Sequence, residues 1–367
     1  MRLRLLLPAA ALLLATAARP GCGQTITTVA GTGGYTLSPD GSPAATSSLA
    51  LATDGTTNVV FDDDGNMTFS EVRACRVRRI VRKTGLLETL AGTTCGYSGD
   101  GGPATAARLK APAEIAFDRK GNLFIGDAGN NLVRRVDRKT GIITTVIGNR
   151  FANYTEDGIA TEVPIGRPSG LVFDREGRLV VAEVYSSRLR RWDPRTLKTE
   201  TIAGMNELLF VGGPALKTGF AWPNSPRFDH SGALYFVASG SNLILKLDAK
   251  GETVTAFAGN GNNAYGGDGG PALQAILNQP SALAVDAAGN VFIADTGNNV
   301  VRRVDAKTGI ITHVAGTGEA GFSGDGGPAA AAALAVPIGL GLDGKGNLYV
   351  VDAMNYRIRR IEGVAAR

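Results

Sequence analysis

Five acids recur along this chain, each followed by paired arginines: Glu71 with Arg78-Arg79, Asp127 with Arg134-Arg135, Glu183 with Arg190-Arg191, Asp295 with Arg302-Arg303, and Asp352 with Arg359-Arg360. Carboxylate and guanidinium at matched positions of a repeating unit can do one of two things. They can serve each copy alike, Asp capping the next turn and Arg donating to carbonyls or acids of a neighbour. Alternatively they can form a ring that holds a metal or an anion. Recurrence favours the first, because a binding site breaks the symmetry of its scaffold. Departures from the repeat are therefore where chemistry is sought. Asn58 and Glu114 present an amide and a carboxylate where the aligned residues are Gly170, Ser225, Ala282 and Gly339. With Asn224 they make an oxygen set of the kind Ca²⁺ accepts.

Other reactive constellations are missing from the sequence. The two histidines, His230 and His313, cannot supply a three-ligand zinc site. The run Gly99-Asp100-Gly101-Gly102 lacks the following Lys-Ser/Thr of a phosphate-binding loop, and there is no GxSxG elbow or CxxC pair. Nucleophilic catalysis and nucleotide hydrolysis are therefore unsupported.

The elements that must position these residues are legible from a second recurrence. Six short hydrophobic strands end in glycine, at Gly31, Gly92, Gly148, Gly204, Gly259 and Gly316, which are 61, 56, 56, 55 and 57 residues apart. A fixed period of that size means one supersecondary unit copied along the chain and packed against its neighbours. The copy beginning at Pro112 shows four β-rich runs, at 114–117, 122–126, 132–136 and 142–146, separated by turns rich in Asp and Gly. Each unit is thus a four-stranded antiparallel meander. Such units repeated about an axis make a β-propeller. The last copy stops after its third strand, and an orphan fourth strand stands at residues 25–29. An open ring would expose two sheet edges. The predicted fold is therefore all-β, a six-bladed propeller whose N-terminal strand completes the last blade.

The unit resembles the NHL repeat, in its bacterial and teneurin-like variant, on the strength of Gly-Asp-Gly-Gly-Pro-Ala at 99–104, 267–272 and 324–329. The resemblance covers roughly residues 25–362, and it implies a propeller that serves binding modules and enzymes alike. Six-bladed relatives of the gluconolactonase and paraoxonase type hold a catalytic calcium at the channel mouth, and Glu114 with Asn58 is similar to part of such a set. Blade four departs most from the repeat, with Ala238 in place of the acid and Leu245-Lys246 in place of the double Arg.

Residues 1–24 read as a secretory signal peptide, with two arginines, an apolar run and Ala15-Thr16-Ala17 before the cleavage site. A lipid anchor through Cys22 is the alternative. The rest, 25–367, is the propeller domain, secreted or periplasmic, monomeric and without a transmembrane segment. In an oxidising compartment Cys75 and Cys95 are expected to pair, because a loop between second and third strands and a blade connection emerge on one face of a propeller.

The long, variable blade connections on that face are the expected recognition surface. The ligand-binding candidates are Asn58, Glu114, Tyr154, Trp222 and Ser225. Tyr97, Tyr265 and Phe322 share one repeat position and are expected to pack the inserted loop. A net charge of +5 raises the question of RNA, but the arginines are spread around the ring rather than clustered with aromatics. No nucleic acid is expected. The function predicted is noncatalytic recognition of an extracellular protein or carbohydrate, with no cofactor. A Ca²⁺-dependent lactonase-like hydrolase is the alternative.

Overall fold

The computed structural model describes residues 24–53, 57–151, 157–205, 209–210 and 212–366. Tyr154, Cys22 and all but the last residue of the predicted signal peptide lie outside them. Six antiparallel sheets form the ring. Blade two shows the plan, running from an inner strand Pro112–Phe117 through Leu123–Asp127 and Leu132–Val136 to an outer strand Ile143–Ile147. Blades three and four each gain a two-residue fifth strand, Gly158–Ile159 and Gly213–Pro214, on the outer edge. No helix among the described residues is long and apolar enough to cross a membrane.

The last blade is composite. Ile26–Ala30 pairs antiparallel with Arg357–Ile361, one residue further along than the sequence suggests, and completes the sheet begun by Pro337–Leu342 and Leu348–Asp352. Ile26 and Ala30 are fully buried there.

Turn chemistry sets the hairpins. Asp118 Oδ1 accepts the N–H groups of Lys120 and Asn122, and Oδ2 accepts the Asn122 amide. Asn122 Oδ1 in turn accepts the Arg138 N–H, so the first turn is tied to the third. Asp62 with Asn66, Asp286 with Asn290 and Asp343 with Asn347 repeat the arrangement. Gly121 takes the φ of +77° that such a short turn requires.

Apolar side chains fill the junctions between blades, so each core cluster draws on neighbouring sheets. Cys75 and Cys95 are bonded, with Cα atoms 5.1 Å apart. The bond occupies a meaningful position. Cys75 is the left-handed residue that ends the loop after the second strand, where other blades have Asn131, Asn242 and Asn299. Those asparagines accept the N–H groups of Arg167, Gln279 and Val336 at the start of the next blade. Blade one thus replaces an amide hook with a covalent tie to the connection that leaves it.

Candidate functional site

The recurring acids and the first arginine of each pair form a buried polar core. Arg134 is fully buried. Its Nη1 donates to the Arg108 carbonyl (3.0 Å) and its Nη2 to the Ser98 carbonyl (3.0 Å) and Asp100 Oδ1 (2.6 Å). Asp127, also buried, lies 3.8 Å from it, accepting the Lys110 N–H (2.7 Å) and the Asn130 amide (2.8 Å). Arg302 sits between Asp268 (2.8 Å) and Asp295 (3.4 Å), and Arg359 between Asp325 (2.7 Å) and Asp352 (3.7 Å). The Asp of the Gly-Asp-Gly-Gly insertion is therefore the third member of each set. Tyr97, Tyr265 and Phe322 lie over these guanidiniums, with ring centroids 5.4, 5.0 and 5.1 Å away. The three aromatics pack the inserted loop onto its ion pair, and the buried cations are closed to an outside anion.

Burial pushes Asp127 up to about 6, against the pull of the Asn130 and Lys110 hydrogen bonds and of Arg134. Asp352 is raised to about 6 by the same cause, and Glu71 and Asp295 are raised as well. A carboxyl whose folded pKa exceeds its unfolded value binds more protons when folded. Its contribution to stability is complete below about 4 and is lost as pH rises through about 6. The urea midpoint of the ring is therefore expected to be higher at about pH 5 than at about pH 7. A lower midpoint at the acid value would refute the assignment.

At the inner strands, the residues that break the symmetry turn out to be hooks between blades. Asn58 donates its amide to the Ile115 carbonyl (2.9 Å) and accepts the Ile115 N–H (3.0 Å). Glu114 Oε2 accepts the Leu171 N–H (3.2 Å), and Ser225 Oγ accepts the Leu283 N–H (2.9 Å). In each case one blade satisfies a backbone group of the next. Gly170 faces Pro226, which has no N–H to offer, and a Cβ on Gly170 would fall 2.3 Å from its Cδ.

Sequence reasoning missed Arg227. Its guanidinium grips Glu114 with two bonds, 2.8 and 3.0 Å, reaching from blade four to blade two at the axis. A signal for it existed, since the aligned residues are Val60, Ala116, Val172, Ala284 and Gly341. Beside this pair runs an axial channel of about 400 Å³ walled by Val59, Ile115, Leu171 and Leu340.

The predicted calcium set does not fit this geometry. Both Glu114 oxygens face Arg227 and both polar atoms of Asn58 serve Ile115, which leaves Asn224 Oδ1 as the one oxygen of the set without a hydrogen bond. A cation placed there would meet a guanidinium already bonded to the only carboxylate of the set. Among the described residues no group of three or more His, Cys, Asp or Glu side chains is placed to hold a metal.

The long-loop face presents different groups. Trp222 is 52% exposed in a left-handed conformation (φ +54°) and lies over Gly240, where a Cβ would come within 3.2 Å of the indole. Arg167 holds the same place in blade three, its guanidinium 5.6 Å from the Tyr185 ring centre and 3.2 Å from the Tyr185 hydroxyl. Tyr185 is also half exposed. Both left-handed residues immediately precede a proline that begins an inner strand, Pro168 or Pro223, so they stand at the rim of the axis. This rim offers aromatic faces and a cation held by rigid backbone.

Comparison with known proteins identifies the repeat. The teneurin NHL domain model matches residues 89–162. Teneurin-1 of Mus musculus is 27% identical over 235 residues, which cover 57% of this chain and 8% of that protein. The chain thus spans a small part of the relative's length. An auxiliary nutrient binding protein from Bacteroides thetaiotaomicron shares the fold with a TM-score of 0.66 at 18% identity, covering 92% of this chain and 76% of its own. A gluconolactonase from Xanthomonas campestris superposes with a TM-score of 0.54 at 13% identity, covering 94% and 98%. At those identities the structural likeness concerns the fold alone.

Proposed function

We propose that this chain, an NHL-repeat propeller of six blades, is a secreted or periplasmic recognition scaffold that takes an extracellular protein or carbohydrate on its long-loop face without catalysing a reaction. The observation that carries the reading is the contrast between two regions. Polar side chains of the axis and the blade interiors bond largely to one another and to backbone, whereas Trp222 and Tyr185 stand at the rim, each 52% exposed. Aromatic and arginine anchors of this kind carry most of the binding energy in protein interfaces. Export rests on the leader at residues 1–24, and the Cys75–Cys95 bond suits an oxidising compartment.

The reading is tested by screening the folded chain against immobilised glycans and peptides, then repeating each hit with Trp222→Ala. Loss of about 30-fold in affinity is expected, the effect of one hot-spot residue, with melting unchanged. Hits that bind the alanine variant as well as the parent would place recognition elsewhere.

A further inference from the structure

The second residue of each second strand fills the junction with the following blade, and in two blades the filling ring is missing. Phe124 of blade two meets Phe173 (5.0 Å) and Trp192 (5.9 Å) of blade three, and Tyr349 of blade six meets Phe61 of blade one (4.9 Å). Phe292 of blade five is buried with Leu340 and Leu348 of blade six, and Tyr235 of blade four with Leu283 and Val291 of blade five. Blade three has Val180 at this position, and blade one has Thr68. The junctions after these two blades contain cavities: a small one of about 90 Å³ after blade one, lined in part by Phe61 and Phe117, and a groove of about 420 Å³ after blade three. Val180 is among the residues lining the larger one.

The larger groove has the volume of a small-ligand site. Partly exposed Ile202 and Phe228 give it an apolar floor, backed by buried Val180 and Leu247. Its rim is charged but internally balanced. Arg178 holds Asp174 (2.7 Å) and Glu176 (3.1 Å), and Arg191 holds Glu200. Asp229 and Asp248, with Arg175 and Lys250, complete a rim of five carboxylates and four cations. Such a rim offers donors and acceptors side by side with almost no net charge, which disfavours phosphates and polyanions. A pyranose matches it, since its C–H face lies on apolar carbon while vicinal hydroxyls both donate and accept.

We infer that the groove between blades three and four binds an uncharged mono- or disaccharide. The site is separate from the long-loop face, and the inference does not depend on that reading. Its test is titration of the whole chain with glucose, galactose, mannose, N-acetylglucosamine, cellobiose and maltose, followed by saturation-transfer NMR and calorimetry. At least one of these sugars is expected to bind in the millimolar range or tighter. Val180→Phe, which supplies a ring like those of blades two, four, five and six, is expected to weaken binding about tenfold or more by filling the groove. Glu200→Gln, on the exposed rim, weakens it about tenfold by removing a charged acceptor, and covers the case in which the phenylalanine variant fails to fold. Loss of sugar binding in Trp222→Ala with binding unchanged in folded Val180→Phe would put the sugar on the long-loop face and overturn the inference. Failure of all six sugars to bind the parent, or unchanged binding in a folded Val180→Phe or in Glu200→Gln, would overturn the inference.

Discussion

A chain from which residues 25–31 have been removed is expected not to unfold cooperatively. Ile26–Ala30 is the outer strand of blade six, with Ile26, Thr27, Thr28 and Ala30 opposite Ile361, Arg360, Arg359 and Ile358 and a register shift between Thr28 and Ala30. Ile26 is buried in the cluster that joins blades five and six, beside Leu348 and Ile361. Burial of one such side chain is worth about 2 kcal/mol, and each ladder hydrogen bond adds a net of about 1 kcal/mol. The strand also anchors its neighbour, since the Gly326 N–H donates to the Ile26 carbonyl and the Ile26 N–H to the Gly327 carbonyl. Without the strand, the insertion that carries Asp325 loses its support, and Asp325 is the partner of buried Arg359. These losses together are comparable with the roughly 5–15 kcal/mol by which a folded domain exceeds its unfolded chain.

Closure also hides an edge. The truncated chain would present the free side of Arg357–Ile361 as an unpaired strand, a template for association between copies. The expected result is a broad, concentration-dependent transition by calorimetry, with soluble oligomers or precipitate on gel filtration. A synthetic peptide of residues 25–31 added during refolding should recover part of the cooperative transition. A truncated chain that melts as a monomer within a few degrees of the full ring would show that the circle does not depend on its first strand.

This strand was legible because repetition makes its own alignment. Copies of one motif show which residues are structural, and the glycines that close the outer strands gave both the blade count and the composite last blade. The Cys75–Cys95 pair followed from the same topology, since the two loops share a face. Partner choice was much less visible. Asn58 and Glu114 stood out correctly as departures from the repeat, but their residue types suggested an oxygen cage. Their partners are a backbone segment of the next blade and an arginine two blades away. Nothing local to Glu114 points to Arg227, because the contact exists only once the ring has closed. Val180 lies between these cases. Its departure from Phe124, Tyr235, Phe292 and Tyr349 is plain in the aligned copies, yet its meaning requires knowing that this position faces the following blade.

The buried arginines lead to the second large effect. Arg134→Met is expected to destabilise the ring by about 3–5 kcal/mol, the cost of leaving a buried charge without its partner. Methionine fills much of the same space, so lost packing contributes little to that figure. The dominant loss is electrostatic. Asp127 keeps its hydrogen bonds from Lys110 and Asn130 but has no cation nearby, and the Ser98 and Arg108 carbonyls lose their donors. Arg135→Met supplies the comparison, since its partly exposed pair with Asp137 (2.7 Å) belongs to a class worth less than about 1 kcal/mol.

Two further measurements tie the deficit to charge rather than shape. Asp127→Asn added to Arg134→Met removes the stranded anion while keeping an acceptor for the Lys110 N–H, and should recover about half of the lost stability. Acid should recover part of it as well. Burial already holds Asp127 at about 6 with Arg134 present. Removing the cation raises it further, so at about pH 5 the carboxyl of the variant is neutral and the gap between variant and parent narrows. The check is a set of urea titrations for the parent, both single variants and the double variant at the two pH values. A deficit that is independent of pH and unrelieved by Asp127→Asn would mean that Arg134 acts through its volume, and that the acid–arginine repeat is packing rather than a set of five internal ion pairs.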